Sequence, residues 1–327
     1  MKICIYGAGA VGGYFAARLA SAADGCEVSV VDQGAALAAI RQHGLRVVSA
    51  GETVHAGVAA TDDPSALGVQ DMVILAVKGP ALSRIAGRIA PLLGPDTVVL
   101  TAMNGVLWWF FDGFGGKHAG MRIEAVDPGG AIGRAIPSGN VVGCVVHGSF
   151  SLLEPGFVKH GFGKRLIIGA PDGSDSPRVH ALAALLGRAG FDAVVSHCIQ
   201  ADTWFKLWGN MTMNPVSALC GATCDRILDD PLVTRFCLDA MAEAAAIGER
   251  IGCPIAQSGE ERNAVTRELG AFKTSMLQDV EAGKAVELDG LVGAVREIGG
   301  KVGVPTPNID ALFGLARLQA QVRGLYP

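Results

Sequence analysis

Residues 2–32 read KICIYGAGAVGGYFAARLASAADGCEVSVVD. KICIY (2–6) is a short, continuous apolar run of the kind that forms a buried strand. Gly7-Ala8-Gly9-Ala10-Val11-Gly12 follows at once, and YFAARLASAADG then carries apolar residues at helical spacing to about Gly25. EVSVVD (27–32) is the next strand, and it ends in an acid, Asp32, twenty residues beyond Gly12. Strand, glycine turn, helix, strand and acid in that order predict a Rossmann unit that binds a dinucleotide. Each glycine has its own task there. Gly7 permits the tight turn, Gly9 lets backbone approach a pyrophosphate, and Gly12 lets the helix pack close to the strand. The free N–H groups at the helix start, around Ala8, Ala10 and Val11, then face the phosphates with the positive end of the helix dipole.

The chain has 327 residues, of which 50% are hydrophobic and 18% charged, with a net charge of −4. That length suggests two domains of ordinary size, each able to bury a core. The slight acidity and the lack of a basic run point away from nucleic acid. The eight cysteines are scattered without a CxxC pair, and the seven histidines form no ligand spacing, so reduced core cysteines and no metal are expected. The sequence opens directly on a strand, without a charged leader or an apolar run of membrane length, so a soluble cytoplasmic protein is expected.

Strands and helices continue to alternate after residue 32. LRVVSA and TVHAGVAA (45–60) read as a hairpin. DMVILAV (71–77) reads as a buried strand with Lys78 at its carboxyl end, and TVVLTAMNG (97–105) as another ending at Asn104-Gly105. Ligands of open α/β sheets lie beyond the carboxyl ends of strands, which places Lys78 and Asn104 to meet cofactor or substrate. Segments 141–150, 156–160 and 165–169 read as further strands, RVHALAALLGRAG as a helix and DAVVS as the last strand. The boundary falls near residue 197, giving a dinucleotide-binding domain over 1–197 and a helical substrate domain over 198–327.

The second half reads as nearly all helical. WFKLWGNMTMNP (204–215) is apolar except for Lys206, Asn210 and Asn214. Steps of four keep these three on one face of a helix, in a stripe about 12 Å long. A buried lysine or amide is costly without a partner, so the stripe meets either other protein groups or a polar ligand. Further on, Ser275, Gln278 and Asp279 share a helix, and Glu287 and Asp289 open the next one, which runs to about Gly299. Acids at a helix start are also favoured by the dipole alone.

Together these segments resemble the ketopantoate reductase family. The resemblance rests on GAGAVGG, AVKG (76–79), MNG (103–105), WFKLWGNMTMNPVSAL (204–219), SMLQD (275–279), VELDGLVG (286–293) and GVPTP (303–307), in family order over nearly the whole chain. The spacing of four through Lys206, Asn210 and Asn214, and of twelve from Ser275 to Glu287, carries most of its specificity. It implies an α/β Rossmann domain followed by an all-helical domain like that of 6-phosphogluconate dehydrogenase, with the active site in the cleft between. Lys206 is then the general acid, and Asn210 and Asn214 line the cleft beside it. Ser275 binds the substrate carboxylate. Glu287 hydrogen-bonds the substrate hydroxyl and helps hold Lys206. Asn104 lies by nicotinamide and substrate, and Lys78 by the cofactor. The residue types suit the chemistry. Hydride attack on a 2-oxo carbonyl builds negative charge on its oxygen, which an ammonium stabilises and then protonates.

Two stretches depart from the family pattern. Gln33 stands where the family has an arginine for the 2′-phosphate of NADPH, and Asp32 precedes it. A carboxylate there accepts hydrogen bonds from a free ribose 2′-hydroxyl and repels a phosphate, so the cofactor is NAD or NADP with a preference for NADH. Trp108, Trp109, Phe110 and Phe111 form an aromatic block after MNG, which reads either as core packing of the next helix or as an apolar wall for a bulkier substrate. The leading reading is reduction of a small-molecule 2-oxo acid, ketopantoate first. An NAD-dependent dehydrogenase of another, bulkier or aromatic 2-hydroxy acid and a dinucleotide-holding redox sensor without turnover are the alternatives. The apolar C-terminal helices are candidates for a homodimer interface.

Overall fold

The structure, a computed structural model, describes residues 1–22 and 25–327. The end of the first predicted helix, at residues 23 and 24, lies outside the described residues. The chain divides into two compact units, one made of Met1–Met103 with Ala131–Ile199 and the other of Asn104–Gly130 with Gln200–Pro327.

The first unit contains β1 (Lys2–Tyr6), α1 (Ala10–Ala22), β2 (Glu27–Val31), α2 (Gly34–His43), β3 (Leu45–Ser49), β4 (Glu52–Ala56), β5 (Ala59–Thr61), β6 (Met72–Leu75), α3 (Gly79–Ala86) and β7 (Val98–Thr101). After the excursion into the other unit come α4 (Ala131–Ala135), β8 (Val141–His147), β9 (Phe150–Glu154), β10 (Phe157–His160), β11 (Arg165–Gly169), α5 (Pro177–Arg188) and β12 (Asp192–Val195). Among the described residues the main sheet runs in the order β12-β11-β8-β7-β6-β1-β2-β5. Its pairs are parallel except β8 with β11. The chain moves from β1 to β2 on one side and later returns to β6 on the other. That reversal marks the carboxyl ends of β1 and β6 as the topological switch point, where α/β sheets bind ligands. The central strands are buried on both faces, which explains their unbroken apolar runs.

A second sheet, β4-β3-β10-β9, covers α1. β3 and β4 form the expected hairpin, but β5 leaves it to pair with β2 in the main sheet. β10 joins β3 in parallel and β9 antiparallel, so the FSLLE strand completes a layer that local pattern does not announce. Tyr14 of α1 packs on Phe150 and His160 of this layer, with ring centroids 4.8 Å apart in both pairs.

The second unit is helical: α6 (Ile199–Cys220), α7 (Cys224–Asp229), α8 (Pro231–Ile251), α9 (Gly259–Arg267), α10 (Ser275–Glu281), α11 (Ala294–Val302) and α12 (Pro307–Val322). Sequence signals set several ends. The Asp230 carboxylate accepts hydrogen bonds from the N–H groups of Leu232 and Val233, at 2.9 and 3.0 Å, to start α8, and left-handed Gly252 stops it. Ser258 and Glu261 form a capping box on α9. The helix expected from Glu287 begins instead as a π-turn over Asp289–Gly293 and becomes α11 only at Ala294.

The 104–130 segment belongs with these helices because its side chains and backbone are satisfied there. Phe110 and Phe111 enter the helical core beside Trp204, Trp208 and Met211. The Glu297 carboxylate of α11 accepts hydrogen bonds from Glu124 N–H and Ala125 N–H at 2.9 and 2.8 Å. The segment is a run of turns, not the helix expected after MNG. Gly105, Gly113, Gly115, Gly116 and Gly120 all take positive φ, which breaks helical continuation.

Candidate active site

In the first unit the three fingerprint glycines are constrained in different ways. Gly7 has φ +94°, and a Cβ on it would lie 2.6 Å from Val77 Cγ1. A Cβ on Gly12 would lie 1.9 Å from the Gly7 carbonyl oxygen, so no other residue fits between α1 and β1. A Cβ on Gly9 would meet nothing within 4 Å. No protein contact therefore calls for glycine at position 9. What its absent side chain leaves clear is the space over the loop, as backbone approach to a pyrophosphate needs. Helix α1 starts at Ala10, so the Ala10, Val11 and Gly12 N–H groups are at its open end. These residues fit a bound dinucleotide.

Asp32 lies at the end of β2 and is half-buried. Its carboxylate accepts from Ala8 N–H at 2.6 Å and from Gln33 N–H at 2.7 Å. The acid thus ties the glycine loop to the end of the second strand. Gln33 is exposed and precedes α2 without capping it through its side chain. Lys78 is half-buried at the N-cap of α3, beyond the carboxyl end of β6, which stops at Leu75 and not at residue 77 as expected.

In the second unit, α6 carries the polar stripe. Two tryptophans fix the rotation of that helix. Trp204 Nε1–H donates to the Ala244 carbonyl at 3.3 Å and Trp208 Nε1–H to the Met241 carbonyl at 2.8 Å, both on α8. These side chains are four residues apart and nearly fully buried. With that face of α6 pinned to α8, Lys206 is turned to another side, where its Nζ donates to Asn104 Oδ1 at 2.8 Å. Both residues are half-buried. Asn210 is half-buried and Asn214 buried, and neither side chain hydrogen-bonds another described residue. Their amides therefore retain donors and acceptors for a ligand.

Asn104 is held by an interlock of two glycine turns. Gly105 has φ +83°, and Val106 N–H donates to the Gly290 carbonyl at 2.9 Å. A Cβ on Gly105 would lie 2.5 Å from that oxygen. The Gly290 side of the interlock is the π-turn that follows half-buried Glu287. That turn is in turn tied to the chain's last residues. Tyr326 O–H donates to Asp289 Oδ1 at 2.6 Å, and Val286 N–H donates to the Leu325 carbonyl at 3.1 Å. Burial is the main cause that pushes the Asp289 carboxyl above its ordinary range, against the Tyr326 hydrogen bond and Arg317. π-turns recur at functional sites, where one extra residue re-aims the chain.

Ser275 is the first residue of α10, exposed and without a side-chain hydrogen bond among the described residues; Thr274 caps the helix through Leu277 N–H at 3.2 Å. The aromatic block is core. Trp109, Phe110 and Phe111 are at most 2% exposed and Trp108 is 8% exposed. Sequence reasoning missed the contact between the NG and DG turns and the Tyr326 anchor. NG and DG each signal a turn, but nothing local says that two turns meet.

The chain resembles known proteins over its whole length. Residues 3–173 match the family profile described as ketopantoate reductase PanE/ApbA, and residues 198–320 match its C-terminal counterpart. The chain is 45% identical to a 2-dehydropantoate 2-reductase of Mesorhizobium japonicum over the full length of both. A solved structure from Ralstonia solanacearum MolK2, provisionally described as a ketopantoate reductase, superposes with a TM-score of 0.95 at 60% identity, covering 99% of each chain. A D-mandelate dehydrogenase with NADH and anilino(oxo)acetate superposes with a TM-score of 0.84 at 24% identity, covering 99% of this chain and all of that one, and shares the fold. On the strength of both profiles and the full-length relative, this chain belongs to the ketopantoate reductase family.

Proposed function

We propose that the chain reduces 2-dehydropantoate to pantoate with a nicotinamide cofactor, Lys206 being the general acid. The observation that carries this reading is the Lys206 ammonium, half-buried on the polar stripe of α6 and held against Asn104 at 2.8 Å. A bound reduced nicotinamide supplies hydride to the substrate's carbonyl carbon. Lys206 Nζ hydrogen-bonds the carbonyl oxygen, stabilises the charge that grows there and transfers a proton to it, leaving a neutral amine that regains a proton from solvent. Asn104 orients the ammonium and shares it with the substrate. Asn210 and Asn214 offer uncharged donors along the same face. Ser275 hydrogen-bonds the carboxylate, and Glu287 the nascent hydroxyl. Gly7, Ala8, Gly9, Ala10, Val11 and Gly12 cradle the pyrophosphate, with Lys78 beside it.

Within that reading NADH is preferred over NADPH. The Asp32 carboxylate, oriented by Ala8 N–H and Gln33 N–H, offers acceptors to a ribose 2′-hydroxyl and opposes a 2′-phosphate, and Gln33 brings no charge to offset it. Residues 1–197 serve the cofactor and 198–327 the substrate, with the Asn104 turn contributing to both. The eight free cysteines support a reducing, cytoplasmic setting. A homodimer is supported by α12, where Leu315, Leu318 and Val322 are 61%, 59% and 81% exposed at helical spacing.

The test is oxidation of NADH and NADPH, followed in parallel at 340 nm with 2-dehydropantoate, on wild type and Lys206→Ala. Turnover with NADH above NADPH, lost in the variant, is expected. Turnover with neither nucleotide refutes the reaction, and faster turnover with NADPH refutes only the cofactor preference. Undiminished turnover in Lys206→Ala refutes its role.

A further inference from the structure

The segment that carries Glu287 is approached through residues 281–285, all of them exposed. Val286 and Leu288 then enter the helical core and leave Glu287 and Asp289 half-buried. What secures this segment comes from residues 325 and 326. The Leu325 carbonyl accepts from Val286 N–H at 3.1 Å, one residue before Glu287. Tyr326 O–H donates to Asp289 Oδ1 at 2.6 Å, two residues after it. Glu287 is thus bracketed by two hydrogen bonds from one short stretch. That stretch is itself well seated. Leu325 is buried in the helical core, its N–H donates to the Ala320 carbonyl at 2.8 Å, and Gln321 Nε2 donates to the Pro327 oxygen at 2.7 Å.

The bracket also reaches Asn104. Gly290 follows Asp289, and its carbonyl accepts from Val106 N–H at 2.9 Å. A Cβ on Gly105 would lie 2.5 Å from that same oxygen, so the two turns are in close contact and a shift of one is passed to the other. Asn104 Oδ1 in turn accepts from Lys206 Nζ at 2.8 Å. An unbroken series of contacts therefore runs from the Tyr326 hydroxyl through Asp289, Gly290 and Val106 to Asn104 and Lys206, every residue lying in the second unit. A half-buried carboxylate that loses a hydrogen-bond donor recovers it by moving toward water. Here the backbone that would move is the π-turn, which touches the Asn104 turn.

We propose that Tyr326 is a positioning residue for the reaction: with Leu325 it clamps residues 286–290, and so aims Glu287 directly and Asn104 with its Lys206 ammonium through the Gly290 contact. The inference rests on the roles given to Lys206, Asn104 and Glu287 above. The clamp touches none of the reacting atoms. Its effect falls on kcat, because the groups it aims act on the charge and proton of the transition state.

The experiment measures kcat, KM for the nucleotide and thermal unfolding on wild type, Tyr326→Phe, Asp289→Ala and the double variant. Ile309→Ala, which loosens the same helical core away from the clamp, is the stability control. Amide hydrogen exchange at Val106 and Val286 is followed on the same proteins. Tyr326→Phe should lower kcat roughly 10–100-fold and keep the nucleotide KM within about twofold. Both amides should exchange faster than in Ile309→Ala. The double variant should be no slower than Asp289→Ala alone, since the hydroxyl acts through that carboxylate. The proposal is overturned if Tyr326→Phe loses no more kcat than Ile309→Ala, if the two losses add, or if exchange at Val106 is unmoved. Should Tyr326→Phe fail to fold, Asp289→Asn, which keeps an acceptor for the hydroxyl, should recover most of the kcat that Asp289→Ala loses; equal losses overturn the proposal. If wild type does not turn over 2-dehydropantoate, the reaction falls, and exchange still decides the clamp: faster exchange at Val106 in Tyr326→Phe supports its hold on the Asn104 turn, and unmoved exchange removes it.

Discussion

Replacing Gly105 by alanine tests the interlock that holds Asn104 against Lys206. The built Cβ stands 2.5 Å from the Gly290 carbonyl oxygen. Ordinary contact begins at 3.4 Å, so the Asn104 turn and the π-turn must separate by about 0.9 Å or the loop must re-route, a displacement typical of overpacking. Two costs follow. The φ of +83° is a left-handed conformation, which costs an alanine about 1–2 kcal/mol, and the close contact adds about 1–3 kcal/mol. Together Gly105→Ala should lose about 2–5 kcal/mol of stability. The Val106 N–H to Gly290 hydrogen bond sits at the point of separation, so Asn104 moves with it. A misplacement near 1 Å in a positioning group lowers turnover by roughly 10²-fold. Gly290→Ala is the matched control, because a Cβ there would stand 3.5 Å from its nearest neighbour, Val106 O, with no positive φ. The assay is thermal unfolding together with kcat at saturating nucleotide and 2-dehydropantoate. Gly105→Ala should lose both, and Gly290→Ala should keep kcat. If Gly105→Ala matched wild type in both, or if both variants fell equally, the interlock would not be what positions Asn104.

Gly9→Val should leave the melting temperature nearly unchanged, since a Cβ there meets nothing within 4 Å, yet raise KM for the nucleotide at least roughly tenfold by filling the pyrophosphate approach; unchanged nucleotide binding would show that the loop serves another purpose. Asp289→Asn should keep an acceptor for the Tyr326 hydroxyl while removing a carboxylate whose pKa burial has raised. The sign is fixed by that rise. The carboxyl of Asp289 supports the fold fully below its unfolded pKa, and that support is lost as pH rises through the folded value. Thermal unfolding should therefore find Asp289→Asn more stable than wild type at neutral pH, with the advantage shrinking as pH falls through the raised pKa toward the ordinary carboxylate range. An advantage that grew on acidification would contradict the burial argument.

Much of this protein is legible in local pattern. A period of two or a continuous apolar run, glycines at fixed offsets and a closing acid are set by the geometry of one strand, one turn and one helix, so GAGAVGG and Asp32 declare a dinucleotide fold without reference to distant residues. The stripe of Lys206, Asn210 and Asn214 is likewise a property of a single helix, since spacing of four puts residues on one face whatever the helix packs against. The family resemblance then ordered these pieces. Tertiary structure decided what each piece meets. The GFVKH segment gives no sign that β10 joins β3 in parallel, more than a hundred residues earlier in the chain, because a strand's pattern records its faces and not its edge partner. The aromatic block reads equally as core or as substrate wall from sequence. It is core because Phe110 and Phe111 find Trp204 and Met211 in the helical unit, and burying such area against complementary partners outweighs leaving it as a lining. Lys206 and Asn104 are 102 residues apart, and only the pinned rotation of α6 with the two meeting glycine turns brings them to 2.8 Å. Nothing in the residues LYP at 325–327 marks a part of the site. Tyr326 meets Asp289, 37 residues away, only once α12 packs beside the π-turn, because the partner of a half-buried carboxylate is set by the surfaces that enclose it.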